Sequence, residues 1–176
     1  MIEQYPDDLS LALTAADIES AFKAGKIASL LGMKGGQGME NSLGALRTFY
    51  RLGVRYMSLT HKSNLDWVDA AMDTPQHNGL TDFGETVVKE MNRLGMLVDL
   101  TFTSPKTMQD VLAISEAPIL FSYSSALALS NDPLNVPDPI LKQLPRNGGV
   151  VMVCFYPPAV SQAYKDWDDP MNEVID

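Results

Sequence analysis

The sequence is poor in the residue types that build covalent cross-links and metal sites. It contains one cysteine, Cys154, and two histidines, His61 and His77, in 176 residues. A single cysteine cannot form an internal disulfide or a multi-cysteine zinc site, and two histidines this far apart lack the spacing of a zinc site. Cys154 lies in the apolar run VVMVCFY, which predicts a buried structural thiol rather than a nucleophile.

Basic residues and long apolar runs are also scarce. The chain has 13 Lys and Arg against 22 Asp and Glu, a formal net charge of -9. The basic residues are scattered, which argues against nucleic acid or an anionic membrane as a partner. No apolar run is long enough for a membrane span, and the N-terminal MIEQYPDD lacks the basic and apolar regions of a signal peptide. We therefore expect a cytoplasmic chain, or one cut from a longer precursor.

The middle of the sequence repeats a helix-then-strand order. Apolar residues at helical spacing predict a helix that ends at Gly95, and a nearly all-apolar run at 96–100 follows as a buried strand. Ser104 and Pro105 occupy the usual N-cap and first-turn positions of the next helix, and a second buried strand follows at 118–122. Strands that are apolar on both faces and alternate with amphipathic helices predict a parallel sheet covered by helices.

The N-terminal quarter predicts a further helix and strand. Residues 1–13 begin in what is typical of the middle of a helix, which then breaks at the segment YPDD, residues 5–8. Thr14 and Asp17 have the spacing of a capping box, which predicts a helix that ends at Gly25. A short apolar strand is predicted at 27–31.

A glycine-rich turn, GMKGGQG, follows at Gly32–Gly38. Glycines can free backbone N–H groups to bind an anion. The segment matches neither G-x-x-x-x-G-K-[ST] nor a clean G-x-G-x-x-G, however, and Lys34 lies on the wrong side of the glycines for a phosphate loop. The plainer interpretation is a turn that connects a strand to a helix.

The same patterns predict five parallel strands in one α/β domain of residues 1–176. The strands fall at 27–31, 55–59, 96–100, 118–122 and 149–155. Residues 62–80 between them are polar and turn-rich, which is typical of a loop, and Trp67 is the one large anchor of this loop.

Three acidic residues in that loop, Asp66, Asp69 and Asp73, lie at helical spacing. The spacing favours a solvated helical face over a Ca²⁺ or Mg²⁺ site, because a Ca²⁺ loop would need a glycine and a terminal glutamate.

Several long segments together resemble one known family. The similarity lies in three segments: SLGALRTFYRLGVRYMSLTH, GETVVKEMNRLGMLVDLTFTSPKTMQDVLAISEAPILFSY and NVPDPILKQLPRNGGVVMVCFYP. They resemble the renal or membrane dipeptidase family, whose members are zinc-dependent dipeptidases built on a TIM barrel. The similarity covers essentially all of residues 1–165. The resemblance implies a barrel of (β/α) units in which 62–80 lies over the active face, and a family reaction of metal-dependent dipeptide hydrolysis.

The resemblance also implies a metal site whose ligand positions are replaced in this chain. The family has a metal-binding Glu in G-x-E-G-G, a His after V-D-L-S, and a second His in F-S-H-S-S. This chain reads GMKGG, DLTF and FSYSS, which puts Lys34, Phe102 and Tyr123 at the ligand positions. Lys34 brings a cation where an anion belongs, Phe102 offers no lone pair, and a phenol with a pKa near 10 is a poor ligand at neutral pH. The family's H-x-D pair and final Asp fall outside this sequence.

Of two family positions that contact the substrate, this chain keeps the family's residue at one and has a different residue at the other. His61, in the intact motif YMSLTH, matches the family's histidine that contacts the scissile amide. The alternative is a histidine satisfied by backbone hydrogen bonds at a strand end. Leu134 replaces the arginine that grips the substrate carboxylate before N-V-P-D, and leucine cannot donate the forked hydrogen bonds of arginine.

A complete barrel of eight strands typically needs about 250 residues, and this chain has 176. Five predicted strands in a chain of this length therefore indicate an incomplete TIM-barrel-like arc. Its outer strands, 27–31 and 149–155, would leave unpaired backbone groups at open edges. We expect these edges to drive self-association or the binding of a complementary chain.

Three functions follow as hypotheses. The first is a truncated dipeptidase relative that binds no zinc and has no dipeptidase activity. The second is a metal-independent enzyme in which His61, Tyr123 and Lys34 act as acid, base or charge-stabilising groups on a small peptide-derived or cyclic metabolite. The third is an active dipeptidase whose ligands come from elsewhere.

Overall fold

The computed structural model of the protein describes residues 2–167, which form seven strands, eight α-helices and two short 3₁₀ helices at Ile2–Gln4 and Gly36–Met39. In chain order the other elements are β1 (Leu9–Leu11), α1 (Ala15–Lys23), β2 (Ile27–Ser29), β3 (Leu31–Lys34), α2 (Leu43–Arg51), β4 (Val54–Ser58), α3 (Asp82–Leu94), β5 (Leu97–Asp99), α4 (Pro105–Ile114), β6 (Leu120–Ser124), α5 (Asp138–Leu141), α6 (Leu144–Asn147), β7 (Val150–Val153), α7 (Pro157–Val160) and α8 (Gln162–Lys165).

A five-stranded parallel sheet forms the centre of the molecule, with its strands in the sequence order β3-β4-β5-β6-β7. Each strand pairs with the next one along the chain. This order, with helices between consecutive strands, confirms the predicted α/β arc. The strand bounds differ from the predicted ones by one or two residues in most cases, and the outermost strands of the sheet are β3 and β7.

The predicted strand at 27–31 is wrong as a single element. Ile27–Ser29 pairs with Leu9–Leu11 in a separate two-stranded parallel sheet, and only Leu31–Lys34 enters the main sheet. A short 3₁₀ helix at Ile2–Gln4 lies where the chain was predicted to begin as a helix, and strand β1 after the break was not predicted. A three-residue parallel strand is specified by its partner, and apolar periodicity along one segment does not reveal that partner.

The core lies between the main sheet and the helices α2, α3 and α4. Alternate strand residues and one stripe of each helix supply its fully buried side chains, which include Met57, Val98, Phe121, Leu46, Val87, Met91, Met108 and Val111. Burying one such side chain contributes about 1.5–3 kcal/mol relative to leaving it exposed. The helices therefore hold one face of the sheet in place.

The opposite face of the sheet is open in the described part of the chain. Leu97 is 37% exposed, and Val150 and Met152 in β7 are 55% and 54% exposed. These residues alternate with Val98 and Val151, which contact the core. An apolar strand face without a covering layer marks a surface that a complete barrel would fill with its own side chains.

Helix ends follow the predicted capping signals. Thr14 and Asp17 form a capping box on α1, Ser104 caps α4 with a proline in the first turn, and Gly95 ends α3 in the left-handed region at φ 77°. Cys154 is buried, as predicted. The acidic tail AYKDWDDPMNEVID predicts the first turn of a helix in its last residues, which lie outside the described residues.

The acidic residues of the 62–80 loop do not lie on a helix, so the predicted solvated helical face is wrong. The segment is irregular. Asp66 accepts a hydrogen bond from the Asn41 side chain at 2.8 Å, and Asp73 accepts one from the backbone N–H of Asn64 at 2.9 Å. Helical spacing alone could not separate a helix from a loop whose carboxylates bind nearby donors.

Asp69 organises this loop from inside. It is 1% exposed and accepts backbone hydrogen bonds from Gln76, His77 and Gly79 at 3.0, 3.1 and 2.9 Å. Burial acts to raise the pKa of Asp69, but these N–H donors together lower it below its usual value.

Trp67 anchors the loop, as predicted. It is 1% exposed and packs edge-on against Phe83, with ring centroids 6.1 Å apart. The loop also contacts the chain after β5, where the Ala71 N–H donates to the Phe102 carbonyl at 2.7 Å. Its role as cover of an active face stays a prediction.

Within residues 2–167, no helix is both long enough and apolar enough to cross a bilayer. The cytoplasmic location stays a prediction.

Candidate active site

Four of the residues singled out from the sequence lie at the carboxyl ends of neighbouring strands. Lys34 is the last residue of β3, and Tyr123 is the fourth of β6. His61 follows the end of β4 by three residues, and Phe102 follows the end of β5 by the same number. The carboxyl ends of neighbouring parallel strands meet at one edge, where barrel enzymes place their active sites.

A cavity of about 170 Å³ opens at this edge of the sheet. Strands β3 to β6 and the residues that follow them supply its walls, which include Lys34, Tyr56, Ser58, Asp99, Phe102 and Tyr123. Lys34, Phe102 and Tyr123, which stand at ligand positions in the motif resemblance, all line this one cavity. From their places at strand ends, His61, Tyr123 and Lys34 were expected to converge on one face. Lys34 and Tyr123 line this cavity, whereas His61 is not among its lining residues and lies against Phe102.

Phe102 is the centre of contacts at this edge. Its backbone lies in the left-handed region at φ 70°, which costs a non-glycine residue on the order of 1 kcal/mol or more. Its ring is 7% exposed. The His61 ring packs edge-on against it at 4.8 Å between centroids, and the Lys34 ammonium lies 4.9 Å from the ring centroid. Phe102 thus positions two polar side chains by aromatic and cation–π contacts.

Asp99 is the one buried carboxylate in the cavity wall, at 2% exposure. It accepts hydrogen bonds from the backbone N–H and hydroxyl of Thr101 at 2.9 and 2.7 Å, and from the Ser122 N–H at 3.1 Å. The Ser122 hydroxyl also donates to it. Both carboxylate oxygens are engaged by neighbouring donors, so Asp99 ties β5 to β6.

Two side chains at the site have shifted pKa values. Partial burial, together with the positive charges of Lys34 and Lys62, lowers the pKa of His61. Burial, followed by the influence of Cys154, Tyr156 and Asp132, raises the pKa of Tyr123.

These directions fix the protonation of both groups at neutral pH. His61 is a neutral imidazole, and Tyr123 is a protonated phenol that can donate a hydrogen bond.

The residues present do not fit a zinc ion. Within residues 2–167, no group of three or more His, Cys, Asp or Glu side chains could hold a metal. Zinc sites use thiolate, imidazole or carboxylate donors. Lys34, Phe102 and Tyr123 bring an ammonium, a hydrocarbon ring and a phenol to the cavity wall, and both oxygens of Asp99 already accept hydrogen bonds.

The remaining sequence candidates lie apart from this cavity. His77 is held within its loop, with its ring Nε2 2.9 Å from the Leu65 carbonyl. Leu134 is half-buried and is not part of the cavity wall. In the glycine turn, the Gly35 N–H donates to Ser58 Oγ at 2.8 Å and the Gly36 N–H to the Leu59 carbonyl at 3.1 Å. Those two N–H groups are used internally, which agrees with a structural turn.

The family model for membrane dipeptidases (peptidase family M19) matches residues 1–175 of this chain. The chain belongs to the membrane dipeptidase family. The dipeptidase verJ of Clonostachys rogersoniana is 48% identical to it over 156 residues, which are 88% of this chain and 40% of that protein. The resemblance inferred from the sequence is thereby confirmed.

Solved structures support the same relationship for this dipeptidase-family chain. The probable dipeptidase PvdM from Pseudomonas aeruginosa superposes with a TM-score of 0.86 at 27% identity, over 92% of this chain and 42% of that one. A second structure is that of a metallo peptidase from Rhodobacter sphaeroides with a phosphinate mimic of the dipeptide L-Ala-D-Ala. It superposes with a TM-score of 0.84 at 24% identity, over 92% of this chain and 48% of that one. The latter likeness shows the fold alone.

This dipeptidase-family chain spans about two fifths of the length of the curated relatives that it matches. The family is one of metallopeptidases, whereas the cavity of the described chain presents no zinc donor set.

Sequence reasoning missed the Asp99, Thr101 and Ser122 network and the central place of Phe102. The polar residues at the ends of two apolar strands were a signal for the network, because buried polar groups need partners. No sequence signal pointed to the stacking of His61 on Phe102, since the two residues come from different strand ends.

Proposed function

We propose that this chain is a dipeptidase-family protein without zinc-dependent dipeptidase activity. The chemistry of one cavity carries the proposal: its walls hold Lys34, Phe102 and Tyr123 where the family's motifs have a glutamate and two histidines. A metal in this family supplies a Lewis acid and a hydroxide nucleophile. None of the three side chains can retain such an ion at neutral pH.

Electrostatics at Lys34 support the same conclusion. Its ammonium lies over the Phe102 ring at the cavity. Two unit charges about 4 Å apart near a protein surface interact by about 4 kcal/mol, and zinc carries two charges. A divalent cation at this place would therefore be repelled by the side chain that replaces its ligand.

Dipeptide hydrolysis tests the proposal. The chain is assayed with a panel of dipeptides in buffer containing added zinc, and again after treatment with a chelator. The expected result is no cleavage above background in either condition. Cleavage that depends on zinc and disappears with the chelator would show an active dipeptidase whose ligands come from elsewhere.

A metal-independent enzyme is the second candidate, and the protonation states of the site favour it. A neutral His61 can accept a proton, a protonated Tyr123 can donate one, and Lys34 can stabilise negative charge. A small peptide-derived or cyclic metabolite is the class of substrate proposed. Turnover of such a compound that is lost in His61→Ala, with the fold intact by circular dichroism, supports this candidate, and unchanged turnover rejects the role of His61.

We also propose that the open sheet edges bind a second copy of this chain. Within the part of the chain that the structure describes, the outer strands β3 and β7 each have a strand partner on one side only, and such edges leave backbone groups unpaired. Val150, Met152 and Val153 in β7 are more than half exposed. At the other edge, an apolar groove of about 660 Å³ runs beside β3 and is lined in part by Leu9, Leu11 and Leu31. Pairing of these edges between copies would bury both apolar surfaces; a complementary chain that binds in place of a copy is the other outcome of the test.

A further inference from the structure

We propose that the cavity at the carboxyl ends of β3 to β6 binds the carboxylate group of a small molecule about the size of an amino acid. The inference rests on the proposed absence of zinc from this cavity. In a metal site, anionic side chains surround a cation. Here Lys34 places a cation at the cavity, so the complementary ligand is an anion.

Lys34 is the charged group that would receive the carboxylate. The described residues form six ion pairs, and none of them involves Lys34. Its position at the end of β3 and its contact with Phe102 hold the ammonium at the cavity wall. A contact with an aromatic face leaves N–H donors of the ammonium available, and a hydrogen bond from a charged donor to a carboxylate is roughly twice as strong as a neutral one.

Two hydroxyl groups add neutral donors. Ser58 is 3% exposed, lines the cavity and accepts the Gly35 N–H through its oxygen, so its own hydrogen stays free to donate. Tyr123 lines the same cavity and brings a phenol hydroxyl to it. An ammonium with two hydroxyl donors is a set that matches the several lone pairs of a carboxylate.

The charge of Asp99 limits which anion fits. Its two oxygens are engaged by Thr101 and Ser122, and these bonds hold its negative charge against the strand ends. The cavity therefore carries one cation and one compensated anion. A ligand with a single negative charge experiences less repulsion from Asp99 than a dianion such as phosphate.

The size of the cavity favours a small ligand. Its volume of about 170 Å³ exceeds several-fold the room that one water requires. Aromatic residues form part of its walls, among them Phe102 and Tyr56. The Tyr56 ring crosses Gly32 so closely that a Cβ there would come within 1.9 Å of it. A carboxylate that bears a short apolar substituent matches this combination of donors and rings.

Nuclear magnetic resonance titration of the zinc-free chain tests the inference. The probes are sodium acetate and L-alanine, each compared with methylammonium chloride and inorganic phosphate at constant ionic strength. We expect saturable shifts of the Lys34, Ser58 and Tyr123 resonances with the two carboxylates. The Lys34→Met variant should weaken this binding by about tenfold or more, because it removes a charged hydrogen bond.

Matched variants distinguish specific binding in the cavity from non-specific electrostatic attraction of the anion to lysine side chains. Lys62→Met removes a positive charge near His61 that is not part of the cavity wall, and it should change the affinity by no more than about twofold. Tyr123→Phe removes one hydroxyl and keeps the ring, and we expect a several-fold loss with an unchanged amide spectrum elsewhere. This second variant keeps the test valid if Lys34→Met does not fold.

Four outcomes overturn the inference. Two concern the carboxylate probes: no saturable shift, or the same loss of acetate affinity in Lys34→Met as in Lys62→Met. The other two concern the comparison ions: tighter binding of phosphate than of acetate, or binding of methylammonium in place of the carboxylates. Metal analysis of a separate sample, equilibrated with zinc and freed of unbound ions, distinguishes the two proposals. No zinc with no carboxylate binding rejects this inference alone, whereas stoichiometric zinc rejects the proposed function as well.

Discussion

The ammonium nitrogen of Lys34 lies 4.9 Å from the centre of the Phe102 ring. In the proposed function both residues replace metal ligands of the family, and in this chain they contact each other. A cation over an aromatic face is attractive by about 0.5–1 kcal/mol at an exposed site. The two replacements therefore form a favourable pair of their own, beside a third replacement, Tyr123, in the same cavity wall.

Restoring the three donors should restore affinity for zinc. The variant Lys34→Glu, Phe102→His, Tyr123→His supplies one carboxylate and two imidazoles around the cavity, which are the donors that zinc uses. Histidine tolerates the left-handed backbone at position 102 better than most residues do. We expect calorimetry to show zinc binding by the variant at least about tenfold tighter than by the parent chain.

The control for this prediction is Lys34→Met alone, which removes the repelling charge without adding a donor. It should bind zinc at least about tenfold more weakly than the triple variant, because it lacks the added donors. Equal zinc binding by the parent and the triple variant would show that the three positions do not decide metal retention, and would contradict the account of the cavity.

Stability should fall in acid because of one buried carboxylate. Glu90 in α3 is about 91% buried and accepts hydrogen bonds from Arg93 at 2.7 Å and from Arg47 of α2 at 2.6 Å. The bond from Arg93 and that from Arg47 lower the pKa of Glu90 from 4.5 to about 2, although burial opposes this. The folded state thus favours the ionised carboxylate of Glu90. Its contribution to the free energy of unfolding is therefore complete above pH 4.5 and is lost as the pH falls toward 2.

Urea unfolding of the parent and of Glu90→Gln, from about pH 6 to about pH 3, measures this contribution. Over this pH range the free energy of unfolding should fall by about 1–2 kcal/mol more in the parent than in the variant. This difference allows for solvent screening of the ion pairs, because both arginines are about half exposed. Glu85→Gln is the matched control on the same helix, since its partner Lys89 and Glu85 itself are exposed. A Glu90→Gln variant that follows the pH dependence of the parent would contradict the assignment.

Self-association through the sheet edge should be visible in solution. We expect light scattering to show dimers or larger species whose proportion rises with protein concentration. Met152→Lys places a charge on the open face beside the β7 edge, where Met152 is 54% exposed, and should shift the chain toward the monomer.

Leu52→Lys is the control for this charge, because Leu52 is 70% exposed but ends helix α2, away from β7. It should associate as the parent does. A parent chain that stays monomeric across the whole concentration range, or two variants with the same behaviour, would reject the edge as an interface.

Local signals in the sequence predicted the parts of the fold that short-range physics determines. The caps at Thr14 and Ser104 and the left-handed stop at Gly95 were correct because each depends on a side chain or backbone within one helical turn. The convergence of Lys34 and Tyr123 followed from the common direction of the strands. The sequence pattern therefore gave the five-stranded sheet and the edge where its site lies.

Long-range partners were outside the reach of the same signals. The pairing of Leu9–Leu11 with Ile27–Ser29 is fixed by contacts across a helix, so the apolar run at 27–31 did not reveal that it divides between two sheets. Asp69 likewise binds backbone groups up to ten residues away. Neither arrangement leaves a periodic pattern in the chain.

The metal content of the purified chain, measured by mass spectrometry after equilibration with zinc and removal of free ions, tests the central claim most directly. The account predicts substoichiometric zinc in the parent, together with bound zinc in the variant that carries the three restored donors. One or two tightly held zinc ions per parent chain would contradict it.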